Sequence, residues 1–324
     1  MNPEFLFQDG ECFPECHASS LVRLTNGDIL CVYFAGKHEK NDDVAIYLSR
    51  RTKNGWQKPK ILAKVSFVPH WNPVIFEIPG GLRVCFKVGK EIPHWRTWHT
   101  ESYDGGFTWT APAAYEGAVG PVRSKPIYLS NGLLLAPNSV ETSVSWRPRT
   151  DISDDNGAHF RPLSEIPINC SRETDKNFIS GLGAIQPTLW ESEKGAIHAL
   201  LRTTCGYIFR TDSTDFGNTF SEAYNTKIPN NNSGIDVVNT SRGLFLCMNP
   251  VSGNWAARTP LVVLKSTDNG HTFSHFATLA DKKWDEKGNK NAEFSYPAIV
   301  ADEKCLHITF TWMRRQIAYC VIDY

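Results

Sequence analysis

Six polar residues in this chain stand directly ahead of apolar, strand-like stretches: His17, Asn72, Lys125, Gln186, Asp236 and Tyr296. If the six strands surround one axis, these side chains converge on one mouth, and a set this polar suits ligand contact. Arg202, at the end of Ile197-His-Ala-Leu-Leu201, and Arg258, just before Thr-Pro-Leu261-Val-Val, occupy comparable places. Two inward guanidiniums suit an anion, because the planar fork matches a carboxylate bidentately. The blander role for either arginine is to hold loop carbonyls or an internal carboxylate. His17 is a residue for general acid/base work or for a substrate hydrogen bond. Glu141 is a further carboxylate within reach of the same region. His70, His94 and His99 lie among Trp71, Trp95 and Trp98, a mixture that suits either sugar stacking or a packed crown of loops.

The elements that must position these residues are repeats. Ser213-Thr-Asp215-Phe-Gly217-Asn-Thr219-Phe220 recurs as Ser266 to Phe273 and as Ser102 to Trp109. Ser153 to Phe160 is a copy with His for Thr, and Ser49 to Trp56 is a fainter one. Each reads as a turn between strands: Asp or Asn caps it, Gly takes the positive φ, and the aromatic returns to the core. The first serines fall at 49, 102, 153, 213 and 266, so the gaps are 53, 51, 60 and 53. A period near fifty residues built from strands predicts a propeller. In phase with the turns run six apolar hairpins: 19–33, 72–86, 125–135, 186–201, 235–248 and 296–311. Asn-Gly and Gly-Gly turns inside them are hairpin signals. The expectation is therefore an all-β fold, a six-bladed β-propeller with Asp-box turns, as one domain over residues 1–324. The sixth copy lacks a box, so Glu4–Gln8 should supply its outer strand and close the ring. Residues 88–100 read as an irregular loop and Trp284–Ala292 as a charged loop.

Composition excludes several classes. The chain has 324 residues, 41% hydrophobic, with Lys+Arg and Asp+Glu both 34, so it has no electrostatic footprint for nucleic acid or an anionic membrane. No stretch is long and apolar enough to span a bilayer as a helix, and the start has no signal-peptide pattern. Nine cysteines, several inside strand patterns, predict reduced, buried thiols and a cytoplasmic setting. Cys12, Cys16 and His17 lack a second ligand pair, so no metal and no cofactor is expected.

The boxes together with Arg202, Arg258 and Tyr296 resemble the sialidase (neuraminidase) superfamily of six-bladed propellers over almost the whole chain. The resemblance implies arginines gripping a substrate carboxylate, with Arg202 and Arg258 as the second and third of the family's three. It implies a nucleophilic tyrosine at Tyr296, in Phe294-Ser-Tyr296-Pro, and an acid/base residue before the strand at Val44, for which Glu39 and Asp43 are available. It also locates two departures. His17 stands where the family has its first arginine, and Gln186 stands where it has the glutamate that assists the tyrosine. Cys16-His-Ala-Ser19, His70-Trp-Asn-Pro73 and Ser295-Tyr-Pro297 mark a divergent sialidase-like group.

The expected function is an exo-glycosidase releasing a terminal acidic sugar from a glycan. Tyr296, His17, Glu39 and Asp43 are its catalytic candidates, and Arg202, Arg258, Gln186, Lys125, Asn72 and Asp236 its substrate-binding candidates. A uronate lyase on the same scaffold is the alternative, with Arg202 and Arg258 neutralising the carboxylate and His17 or Tyr296 removing the adjacent proton. A non-catalytic glycan-binding propeller comes third. His17 and Tyr296 precede the inner strands of the first and last blades, which a closed ring makes neighbours.

Overall fold

The computed structural model describes residues 2–170, 181–282 and 292–324. Six antiparallel sheets follow one another along the chain, each entered from its inner strand. These inner strands are Glu15–Arg23, His70–Ile78, Ile127–Tyr128, Ala184–Glu193, Asp236–Thr240 and Phe294–Ala301. The six-bladed propeller is thus present. In the last blade Glu4 pairs with Tyr319 and Phe5 with Ala318, so the N-terminus closes the ring. Burial follows from this arrangement. Among the described residues the apolar core divides into one large cluster at each of the six blade interfaces, for instance Leu30, Phe34, Ile75 and Phe86 between blades one and two.

The box turns form the expected network. Ser266 Oγ donates to Asp268 Oδ1 at 2.7 Å and accepts from Gly270 N at 2.8 Å, while Thr272 Oγ1 donates to Asp268 Oδ2 at 2.6 Å. The variant copy keeps this geometry because His159 Nδ1 reaches Asp155 Oδ2 at 2.6 Å, where threonine donates elsewhere. An arginine from the preceding blade sits under each of three boxes. Arg83 Nη1 donates to Asn156 O at 3.0 Å and Arg210 Nη1 to Asn269 O at 2.7 Å, and Arg50 Nη2 donates likewise to Gly105 O. A Cβ on Gly157 would lie 2.8 Å from the Arg83 guanidinium, which adds a packing reason for glycine there.

One local expectation needs revision, and one choice left open is decided. Arg96–Ser102 is a regular third strand of blade two, paired with Leu82–Val88, so the loop predicted over 88–100 ends at Trp95. Its high content of His, Trp and Arg masked a strand in which Thr97, Thr100 and Ser102 are buried. The second concerns the His/Trp cluster, where of the two roles left open the packed one holds for three residues: Trp71 and Trp95 are buried against Val122, and His70 is buried with its ring nitrogens bonded to Val65 N and Val68 O, while His94 is exposed. The charged loop Trp284–Ala292 lies, apart from Ala292, outside the described residues.

Candidate active site at the channel mouth

A shared backbone device opens the mouth. Ladder register shifts at the start of four inner strands, between His17/Ser20, Trp71/Val74, Ile185/Thr188 and Ser295/Ala298. Such bulges re-aim side chains. The bulged residues Ala18, Asn72, Gln186 and Tyr296 have φ of 55°, 41°, 52° and 51°, and Arg123, ahead of the third inner strand, has 72°. Left-handed backbone costs a non-glycine residue about 1–2 kcal/mol, and such strain gathers at functional sites.

Tyr296 is the centre of the resulting cluster. Its hydroxyl accepts from Arg202 Nη1 at 2.6 Å, and the same Nη1 donates to Gln186 Oε1 at 2.9 Å. Arg202 Nε donates to Asn232 Oδ1 at 2.9 Å. The guanidinium carbons of Arg123, Arg202 and Arg258 lie 5.1, 5.5 and 5.6 Å from the Tyr296 ring centroid. The His17 ring packs against the phenol with centroids 4.2 Å apart and planes tilted by 48°. His17 is buried, and its Nδ1 has no hydrogen-bond partner among the described residues. Burial, then the charges of Arg314, Arg258, Arg123 and Arg202, hold its pKa well below the ordinary imidazole range. The ring is therefore a neutral base at pH 7.

A carboxylate layer orders the remaining arginines. Glu293 Oε1 accepts from Arg258 Nη1 at 2.7 Å, and Arg314 joins Glu293 to Glu39, donating to the latter at 2.5 Å. Burial would raise the Glu293 pKa, but Arg258 and Arg314 outweigh it and hold it below the usual range. Trp146 and Trp255 flank Arg202 with centroids 5.6 and 5.9 Å from its guanidinium, and Trp255 is 63% exposed. Trp146 also walls a cleft of about 570 Å³ with Trp71, Glu141, Lys40 and Lys90. Burial raises the pKa of Glu141, and Arg202 only partly opposes this.

The sequence candidates fall into two groups. His17, Gln186, Arg202, Arg258 and Tyr296 converge, and Glu39 joins them through Arg314. Asn72 shares the bulge and is buried, but its side chain makes no hydrogen bond to the cluster among the described residues. Three candidates lie elsewhere. Asp43 is exposed and caps the turn by accepting from Lys37 N at 2.9 Å. Lys125 and Asp236 pair with each other at 2.9 Å, and Asp236 also accepts from Thr188 Oγ1 and Ile299 N. Lys125 lines a cavity of about 300 Å³ with Arg23 and Glu77, at the far ends of the inner strands. The reason is a two-residue offset, which keeps the side of the strand but moves about 7 Å along it. At the mouth, blade three presents Arg123 and blade five presents Gly234, whose Cβ would come within 3.3 Å of Arg123 Nε and 3.4 Å of Tyr296 Cγ.

Sequence reasoning missed Arg123, Glu293 and Arg314. Arg123 donates from Nη1 to Ser19 O at 3.4 Å and from Nη2 to Pro297 O, tying together the bulges of His17 and Tyr296. Its signal was weak because the third inner strand pairs over only Ile127–Tyr128. Arg314 sits in a hairpin turn with φ of 57°, where no apolar pattern marks a position.

The sequence matches the BNR repeat-like domain over residues 27–308. The chain belongs to the BNR repeat-like family. No curated protein sequence matches it. Among solved structures, the Hadza microbial sialidase Hz136 superposes with a TM-score of 0.77 at 14% identity, covering 99% of this chain and 68% of that one. The K499G mutant of NanB sialidase from Streptococcus pneumoniae gives 0.74 at 14% identity, covering 99% and 71%. Trypanosoma rangeli sialidase in complex with sialic acid gives 0.73 at 13% identity, covering 99% and 58%. At these identities the likeness is one of fold, and this BNR repeat-like chain has the sialidase-type propeller with a divergent mouth.

Proposed function

We propose that this protein is a carbohydrate-active enzyme that removes a terminal carboxylated sugar from a glycan, an exo-glycosidase of sialidase type. The observation that carries this reading is the Tyr296 hydroxyl, 2.6 Å from Arg202 Nη1 and ringed by the guanidiniums of Arg123 and Arg258. In this reading Arg202 and Arg258 hold the sugar carboxylate, and that grip sets the anomeric carbon against Tyr296. The phenol attacks, or stabilises the cation, while neutral His17 takes its proton, the work a glutamate does at the Gln186 position in the family it resembles. Glu141, whose burial favours the protonated form, or Glu39 donates to the leaving oxygen. The described complex of Trypanosoma rangeli sialidase with sialic acid supports a carboxylated sugar as the substrate class.

A uronate elimination is the second reading, favoured by the acceptor set at Tyr296. Its hydroxyl shares Arg202 with an amide, Gln186, and the buried Nδ1 of His17, without a partner among the described residues, is the base that would take a proton from the carbon beside a neutralised carboxylate. Incubation with a glycan library and product mass analysis separates the two, since hydrolysis adds water and elimination leaves an unsaturated sugar. Binding without any turnover would leave a glycan-binding propeller.

A further inference from the structure

Blade four carries a second polar constellation at the far end of its inner strand. Ser192 stands six residues after Gln186, roughly 20 Å along a strand, and therefore lies on the face opposite the mouth. Its Oγ is 2.7 Å from His198 Nε2, and His198 Nδ1 is 2.5 Å from Asp212 Oδ1. Two independent contacts fix the tautomer. A carboxylate only accepts, so Nδ1 carries the proton that it donates to Asp212. Trp190 Nε1 only donates and gives its hydrogen to Asn269 Oδ1 at 2.7 Å, which turns Asn269 Nδ2 toward His198 Nε2 at 3.0 Å. Nε2 is thus the acceptor, and its lone pair is shared between Asn269 Nδ2 at 3.0 Å and the closer Ser192 hydroxyl at 2.7 Å.

The supports are also in place. Burial pushes the Asp212 pKa up, but hydrogen bonds from His198 and Arg210 hold it at about 2. Arg210 Nη2 donates to Asp212 Oδ1 at 2.9 Å and Tyr224 Oη to Asp212 Oδ2 at 3.1 Å; with the proton on His198 Nδ1, the 3.1 Å approach of Arg210 Nη2 to that nitrogen is a contact between two donors and adds no support. The Trp190 ring lies against the imidazole at 5.1 Å. Asn269 Nδ2 and Ser192 Oγ contact the same ring nitrogen, so an amide donor stands beside the hydroxyl. The repeat does not require this set. In blade six His307 holds the same strand position as His198, yet its partners are Asp302 and Tyr319.

We propose that Ser192, His198 and Asp212 form a nucleophilic triad that hydrolyses small acyl esters, separate from the sugar site at the mouth. Such a constellation is recognised by geometry and roles. Ser192 Oγ bonds to the acyl carbon as its proton passes to His198 Nε2. The ester C–O bond then breaks, and that proton goes to the leaving alcohol. Water attacks the acyl-serine in the same way, releasing the acid and restoring Ser192. The serine is exposed on its hairpin, which suits a short acyl group such as acetyl on a larger alcohol.

The test uses the full chain with a fluorophosphonate probe and with p-nitrophenyl acetate. The expected result is phosphonylation at Ser192 in the peptide map, and ester turnover that Ser192→Ala abolishes and His198→Gln lowers by about a hundredfold. Ser192→Ala changes an exposed hairpin residue, so its melting temperature should match the parent. His198 lies in a blade interface, and Asp212→Asn, which keeps the side-chain shape, gives a second reading on the ring. Absence of label on the folded parent overturns the proposal, as does label only at other residues or turnover unaffected by Ser192→Ala.

Discussion

The two faces of the propeller treat arginine in opposite ways. On the box face each latch arginine is paired with a carboxylate, Arg83 with Glu101 at 2.6 Å, although Arg83 Nε has no partner among the described residues. Arg50 bonds Asp28 at 2.7 Å and the next blade's Gly105 carbonyl, and Arg210 bonds Asp212 and the Asn269 carbonyl. The left-handed residues in the box turns are mostly glycine or asparagine, with Phe216 the exception. At the mouth four arginines, 123, 202, 258 and 314, crowd around Tyr296 and His17, and Arg123 Nε and His17 Nδ1 lack partners among the described residues. There the strained backbone falls on Ala18, Arg123, Gln186 and Tyr296. Buried polar groups are normally paired. A face that pairs its cations locally is built for stability. A face that leaves positive charge and strain around one phenol suits the carboxylated ligand of the proposed function.

The sharpest way to break this contrast is at the phenol. Tyr296→Phe and His17→Ala should each lower turnover by about 10²–10⁴-fold. The double variant should be little worse than either single, because residues acting as a unit are not additive. Multiplying losses in steady-state kinetics would separate the two roles.

Lys125→Ala comes next. It leaves Asp236, 2% exposed, without its cation, and breaking a buried pair by removing one partner costs about 3–5 kcal/mol. Denaturant unfolding should show the loss while KM of the folded protein stays unchanged. A raised KM at unchanged stability would return Lys125 to the ligand site.

Arg258→Ala and Arg50→Ala should then diverge. Arg258→Ala leaves Glu293 still paired with Arg314, so the fold persists, and affinity for an acidic sugar should fall by about one to two orders of magnitude. Arg50→Ala should lower the melting temperature and leave sugar affinity intact. Equal effects of the two changes on stability would erase the distinction between the faces.

The last effect is acid sensitivity. Burial holds His70 at about 4, with His17 also well below its usual value, so both remain neutral in the folded chain. The unfolded chain takes up protons below about 6.5. Stability contributed by neutral burial is thus present above about 6.5 and is lost as pH falls toward 4. Thermal melts across that window should show the decline, and His70→Gln should flatten it.

The box phrases, their spacing and the six hairpins determined blade number and ring closure. These are periodic, local signals: Ser, Asp, Gly and Thr bond within one turn, so their chemistry is complete in eight residues. Tyr296, Gln186 and Asn72 were also legible, because each stands directly ahead of an apolar inner-strand stretch. The tertiary structure alone decided which polar residue of blades three and five reaches the mouth, since a two-residue offset preserves the strand pattern and changes only depth. It alone brought Arg314 of a late hairpin between Glu39 and Glu293. It also brought Asn269 of one blade to His198 of another. Contacts that depend on ring closure or on neighbouring blades join residues far apart in the chain, and no local pattern records which of them will meet.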